Sequence, residues 1–541
     1  MPLSPDTNGD NKLMEKEEPA ESNNKPRVPM SQLKLNLLFI GLLFGVFLSA
    51  LNLTIVSTAL QAIASDLSAF DKVLWVAIAD LLTATAFQPV YGKLSDIFGR
   101  KITILTAIFI FELGSLFCGL ADNITKLVLW RAVSGIGAGG FIGLTSIIIA
   151  DIISLKDRGK YVGIVGSVYS IGSIIGPLLG GAFTDHVSWR WVFYINLPFG
   201  VIPIAFIVFL LNVPTPPGTL KEKLTRIDWL GMFVITSSTL ATLLALQWGG
   251  SDYAWNSALV IILFVLGGLG FILFAYIEGF IAVEPIIPVR LFRDRTVVSC
   301  SIQNFFYSIG LYECIFFVPL FFQAIYQDSA LASGIKLLSY IVGVVISALI
   351  SGQVVSRAPG YSYKLVCLFG GAMVAIGSGL IYTLDQNSTV GQQVGYLLIT
   401  GFGAGSIFQI SLLTGQAVVD DDDIAIVTSL ITFFRSFGSV IGMSIFSAIV
   451  NNELIKKVVD TFKNQYGFEI SFNTVHGNLS SVFSFGEPLR SQLLGTIIDS
   501  LHKIFLAGLI SGVLLFISAL FMRNYIETEE RENEENEVRD D

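Results

Sequence analysis

Apolar runs of about 17 to 25 residues, the length needed to cross the hydrocarbon of a bilayer, start near Leu37 and recur as far as Met522. Fourteen can be separated, at roughly 37–58, 73–91, 102–121, 127–150, 161–184, 193–213, 229–248, 258–278, 297–323, 332–356, 364–384, 392–418, 425–450 and 504–522. Their number and length predict an all-α polytopic membrane protein, because backbone groups inside hydrocarbon must find their partners within the spanning segment. Residues 1–36 are mostly polar and charged. They predict a disordered cytoplasmic tail, with no cleavable signal peptide ahead of the first span.

Composition narrows the class. Only 14% of the 541 residues are charged and 53% are hydrophobic, against about 25% charged in soluble domains. That excludes an ordinary globular enzyme. With the N-terminus placed in the cytoplasm, 22 Lys and Arg fall in cytoplasmic segments, and the short opposite loops hold only Lys72, Lys126 and Arg190. This is the bias expected of cytoplasmic loops, and it puts the C-terminus on the same side. The segment 451–503 carries five more, but long loops cross regardless of charge. Sequons outside the spans start at Asn123, Asn387 and Asn478, all in loops assigned to the other side, and Asn387 and Asn478 are the glycosylation candidates. The net charge of −9 comes mostly from the tails, including the acidic cytoplasmic tail 523–541. Cys118, Cys300, Cys314 and Cys367 lie inside spans with neither metal nor disulfide spacing. No metal site, cofactor or nucleic-acid partner is expected; the partners implied are the lipid bilayer and a small molecule.

The stretch Tyr91-Gly92-Lys93-Leu94-Ser95-Asp96-Ile97-Phe98-Gly99-Arg100-Lys101 sets an acid, an arginine, two lysines and two glycines between the second and third apolar runs. Charges so placed cannot lie in hydrocarbon and must form a tight turn at the membrane surface. Gly92 and Gly99 permit close approach and unusual dihedrals, and Asp96 and Arg100 stand one helical turn apart, where they can pair. The spelling resembles motif A of the major facilitator superfamily at six positions of fixed spacing. The resemblance implies a conformational latch made by Gly92, Asp96, Gly99, Arg100, Lys101 and Asp151, with Asp96 also facing the N-terminus of a helix in the opposite half.

The chain also repeats itself. Gly135-Ile-Gly-Ala-Gly-Gly in the fourth run is echoed by Gly401-Phe-Gly-Ala-Gly-Ser in the twelfth, and Gly172-Ser-Ile-Ile-Gly176 in the fifth by Gly438-Ser-Val-Ile-Gly442 in the thirteenth. The two elements of each pair stand 37 residues apart in both halves. Gly352 to Lys364 reads as a worn copy of motif A. This predicts an N-terminal six-helix half at 37–213, a linker with two inserted helices at 214–296, and a C-terminal six-helix half at 297–522 that includes the non-cytoplasmic loop 451–503. Parallel halves of this kind bind substrate near the membrane midplane, between them.

Further motifs carry the resemblance. Arg131-Ala-Val-Ser-Gly135-Ile-Gly-Ala-Gly-Gly resembles motif B, and Gly172-Ser-Ile-Ile-Gly-Pro-Leu-Leu-Gly-Gly181 resembles motif C, the signature of the family's antiporters. Gly172, Gly176 and Gly180 share one smooth face, Gly181 adjoins it, and Pro177 permits a bend; such a face suits a hinge between the halves or simple tight packing. Trp189 to Pro198, Ile227 to Gly231, Gly334 to Leu338 and Phe434 to Gly438 match the fungal fourteen-span drug:proton antiporter branch. The resemblance covers residues 37 to about 452 and the last span.

One departure bears on mechanism. The branch writes an acid into the first span, as Leu-Asp-x-Thr-Ile-Val, where this chain has Leu51-Asn52-Leu53-Thr54-Ile55-Val56. Asn52 cannot titrate. In the second span Asp80 stands where the branch has an aromatic. At about 1.5 Å per residue both lie roughly 10 Å inside the outer face, so the proton site is expected to have moved to Asp80. Glu112, Arg131, Glu313 and Arg435 are the other ionisable groups in mid-span, each a functional candidate by cost alone; structural acid–arginine pairs are the alternative. Lys336 is placed where it can snorkel, and Asp420 to Asp423 in a solvated turn. The resemblance implies a monomeric, proton-coupled antiporter in the plasma or vacuolar membrane that moves small organic compounds, often cationic, drugs or toxins out of the cytosol. A vacuolar basic amino acid transporter and a non-transporting sensor are the alternatives.

Overall fold

The computed structural model describes residues 31–523 apart from 70, 71, 74, 251, 252, 329, 359, 360 and 451–488. Its long helices are α1 (Gln32–Asp66), α2 (Trp75–Phe98), α3 (Arg100–Gly119), α4 (Ile124–Ile152), α5 (Leu155–His186) and the broken α6 (Trp191–Leu210). There follow α7 (Trp229–Trp248), α8 (Ala258–Phe280), α9 (Arg295–Tyr326), α10 (Ala330–Arg357), α11 (Tyr361–Tyr382), α12 (Val390–Ala417), α13 (Ile424–Ile449) and α14 (Leu489–Leu520). Among the described residues, thirteen helices are long and apolar enough to cross a membrane. The fourteenth is α2, whose Asp80, Gln88, Lys93 and Asp96 lower its hydropathy although most of its face is packed. Among the described residues the count therefore matches the fourteen runs. Starts are fixed by local chemistry: Ser154 and Asp228 accept backbone N–H bonds from Asp157 and Gly231, and Thr389 with Gln392 closes a capping box.

Helices α1 to α6 pack into one bundle and α9 to α14 into another, in matching arrangements. Small residues set the register. A side chain at Gly135 or Gly139 of α4 would run into the Asp80 and Ala84 carbonyls of α2. In the second bundle Gly401 and Gly405 of α12 stand in the same way against Tyr340 and Val344 of α10. Asp80 and Tyr340 thus occupy equivalent places.

The bundles meet through two equivalent crossings. Gly92 of α2 packs on Ala425 and Ser429 of α13, and Gly159 and Gly163 of α5 pack on Gly352 and Ala348 of α10. At the same end the Lys160 N–H donates to Ser356 Oγ at 3.0 Å and Arg158 donates to Gln416 at 3.5 Å. The molecule is closed at the end that carries Asp96 and Arg100.

The motif C glycines are not at this junction. Gly172, Gly176 and Gly180 pack on Phe47, Ala50, Thr54, Ile55 and Thr58 of α1, inside their own bundle, and their echoes Gly438 and Gly442 pack on α9. The expected hinge face between halves is corrected by geometry: nine residues at 3.6 per turn carry Gly172 to the opposite side of α5 from Gly163. Gly181 faces open space, and Pro177 is accommodated within the helix.

The inserted pair α7 and α8 lies against α2 and α13. Leu243 packs with Leu82 and Val440, Trp248 meets Trp75 at 6.0 Å, and Phe271 meets Phe437 at 6.0 Å. The free side of α8 exposes Ile261, Ile262, Leu266 and Leu269, as a lipid-facing helix should. Glu284, beyond α8, accepts from Arg226 at 2.7 Å and pairs with Lys93 at 3.0 Å. Those two cations, Arg226 first, hold its carboxyl below the usual glutamate range. Asp423 corrects the reading of a merely solvated acidic turn: it is buried and takes both ends of the Arg290 guanidinium, at 2.5 and 2.8 Å.

Candidate functional site in the central cavity

A cavity lies between the bundles, walled by Asn52, Asp80 and Gln88 from α1 and α2, Tyr169 from α5, Tyr312 from α9, Phe408 from α12 and Arg435 from α13. Ser308, Ser436 and Ser439 add hydroxyls to the second wall.

On the first wall three helices are tied by one cluster. Arg131 of α4 reaches α2 because Gly135, a turn further on, lets the two backbones touch. Its Nε donates to the Val76 carbonyl at 2.8 Å and its Nη1 to Asn52 Oδ1 at 2.8 Å, and Nη1 lies 3.3 Å from Asp80 Oδ1. Asn52 Nδ2 donates to Asp80 Oδ2 at 3.1 Å. The Phe193 ring stands 5.8 Å from the guanidinium carbon. Asp80 is 4% exposed, and Asn52 and Arg131 are 1% exposed. An acid and a base so deeply buried are tolerable only as partners.

The other candidates are elsewhere. Neither Glu112 nor Glu313 is on the cavity wall. Both oxygens of Glu112 are buried without a hydrogen-bond partner, in space left by Gly200 of α6. Glu313 opens a π-helical turn, Glu313–Phe317, inside α9; its oxygens are likewise unpartnered, against Gly508 of α14. Of the four predicted proton-handling residues, only Asp80 and Arg131 are brought together. The alternative of a structural pair applies to Arg131 but not to Arg435, which has no acidic partner among the described residues. Lys336 is held by Asp328 at 2.5 Å and Gln393 at 2.7 Å.

The turn between α2 and α3 is built as a clamp. Gly99 has φ +93°, a conformation costly for any other residue, and starts α3. Arg100 pairs with Asp96, donates to Asp151 Oδ2 at 2.8 Å and reaches Ser95 Oγ at 3.2 Å. Lys101 instead donates to the Val208 carbonyl near the end of α6, at 2.6 Å. Gly92, one turn before Asp96, packs on Ala425 and Ser429 in the first turns of α13, and Asp96 itself pairs with Arg100. Asn387 is exposed in the loop before α12; Asn478 lies outside the described residues. The four cysteines are buried and unbridged, and no group of metal-binding side chains occurs among the described residues. Tyr169, Tyr312 and Gln88 were missed as wall residues. The repeat could have flagged Tyr169, because it places that residue opposite Arg435.

Residues 42–443 match the model of the Major Facilitator Superfamily. The chain belongs to the major facilitator superfamily. It is a multi-pass membrane transporter, not an enzyme. It is 34% identical over 518 residues to the MFS-type efflux pump LUC4 of Fusarium sp, covering 95% of this chain and 91% of that one. It is 34% identical over 516 residues to the multidrug transporter protein MdtP of Bacillus subtilis (strain 168), covering 91% and 94%. Among solved structures, the human organic anion transporter MFSD10 (TETRAN) superposes with a TM-score of 0.57 at 14% identity, covering 89% of this chain and 99% of that one; at that identity the likeness speaks for the fold alone.

Proposed function

We propose that this transporter is a proton-coupled antiporter that exports small organic compounds from the cytosol, with Asp80 as its proton-carrying group. The observation that carries the reading is the buried Asn52–Asp80–Arg131 cluster, in which Asn52 and Asp80 line the cavity and Arg131 stands behind them. With Asp80 charged, Arg131 is compensated. A proton on Asp80 leaves a buried guanidinium without its counter-charge, and breaking a buried pair costs about 3–5 kcal/mol. That is more than half of the ~5.5 kcal/mol that carries a two-state population from 1:99 to 99:1, so one proton strongly biases the choice between two packings of α1, α2 and α4. Asp80 on the neighbouring helix supplies the titratable group that Asn52 lacks, which speaks against the sensor alternative. The export direction is supported by the relatives named as efflux pumps.

In this reading the Asp96–Arg100–Asp151 clamp faces the cytoplasm, so the described conformation is closed to the cytoplasm. The chain acts as a monomer in the plasma or vacuolar membrane, with both termini cytoplasmic. The test is flux in proteoliposomes under an imposed pH gradient. The wild type should move substrate uphill, and Asp80→Asn should lose that component while still binding substrate. Unchanged pH-driven flux in Asp80→Asn contradicts the assignment.

A further inference from the structure

Arg435 stands three residues before Gly438, the position that the internal repeat matches to Tyr169 before Gly172. Both side chains line the central cavity, so the repeat brings one wall position from each bundle to the same space. Arg435 is 8% exposed. Its Nη1 donates to the Phe408 carbonyl at a long 3.4 Å, and Nη2 is buried with no hydrogen-bond partner. Its guanidinium carbon lies 4.8 Å from the centre of the Phe408 ring. The ionisable groups acting on it are the phenols of Tyr169, Tyr307 and Tyr312. Arg131, by contrast, has a carboxylate, an amide and a carbonyl. Because Asp80 is already engaged by Arg131, the uncompensated charge on the cavity wall is positive.

We propose that Arg435 is the substrate-recognising cation of this cavity, and that its ligand is an aromatic or conjugated compound presenting an anionic oxygen, a carboxylate or a phenolate. A buried guanidinium is costly without such a partner, and its planar fork matches a carboxylate with two parallel hydrogen bonds. The Tyr169 and Phe408 rings, stacked at 5.4 Å, give the cavity a flat aromatic wall beside it. Ser436 and Ser439 supply further donors. An organic cation, the class favoured by sequence resemblance, meets like charge here. The inference rests on the export reading for the cavity being the substrate site, but not on which residue carries the proton.

Equilibrium dialysis of the purified full-length protein against 1-naphthoate and 1-naphthylmethylammonium, which share a ring system and differ in charge, reads this selectivity. The wild type should bind naphthoate about tenfold or more tightly than the ammonium. Arg435→Gln should abolish the ratio, and Arg435→Lys should keep part of it. A folded Arg435→Gln protein that retains the ratio overturns the proposal. If that variant does not fold, the wild type alone decides: preference for the ammonium, or binding of neither probe, also overturns it. Naphthoate selectivity without any pH-driven flux contradicts the proton coupling and leaves the cavity as the substrate site, with this proposal standing.

Discussion

A carboxylate that holds an arginine and an amide at once cannot change its proton without disturbing the three helices that carry them. Asp80 is in that position. Arg131→Gln should therefore destabilise the folded protein by about 3–5 kcal/mol, because it leaves the Asp80 charge buried and unpaired. A clearly lowered melting midpoint in detergent is the expected result; an unchanged one means that Asp80 carries no charge to compensate. Much of this was legible in the sequence. The broken first-span motif, the acid in the second span and their equal depth placed Asn52 and Asp80 near each other. The state of Arg435 was not legible, because whether a buried arginine has an acid beside it depends on which helices come together, and no spacing along the chain records that.

At the scale of helices, the glycines decide how closely neighbours approach. Gly176 lies on Thr54 and Ile55 with no room for a side chain, whereas Gly181 meets nothing. Gly176→Leu should separate α5 from α1 and abolish transport, and Gly181→Ala should leave transport and melting midpoint close to wild type. Equal behaviour of the two variants, measured by flux and by elution as a monodisperse species, would count against this packing. The sequence showed the glycine face but not its partner. A helix of 32 residues, such as α5, presents different sides at its two ends, and it is Gly159, Gly163 and Gly166 that turn toward the second bundle.

For the whole molecule, we propose that the α2–α3 turn, at the end where the bundles meet, is the latch that holds the closed state. Asp96→Asn removes a charge from the Arg100 cluster and should keep expression while losing transport; near-normal flux in that variant would refute the latch. A cysteine pair at Lys160 and Ser356, whose parent residues already share a hydrogen bond, should cross-link readily and block flux until reduced. The pseudo-symmetry behind this closure was visible beforehand in the repeated glycine motifs. The placing of α7 and α8 was not, because two apolar runs inserted between halves carry no mark of the surface they will cover.

In the proposed mechanism the proton-carrying acid of this transporter has moved one helix over, from the place of Asn52 to Asp80. Exchanging the two residues tests it most directly, since Asn52→Asp with Asp80→Asn keeps one acid and one amide within reach of Arg131. In proteoliposomes under a pH gradient, Asp80→Asn alone should lose coupled flux and the exchanged double variant should recover a substantial part of it. Coupled flux that survives in Asp80→Asn, with loss instead in Glu112→Gln or Glu313→Gln, would contradict the account.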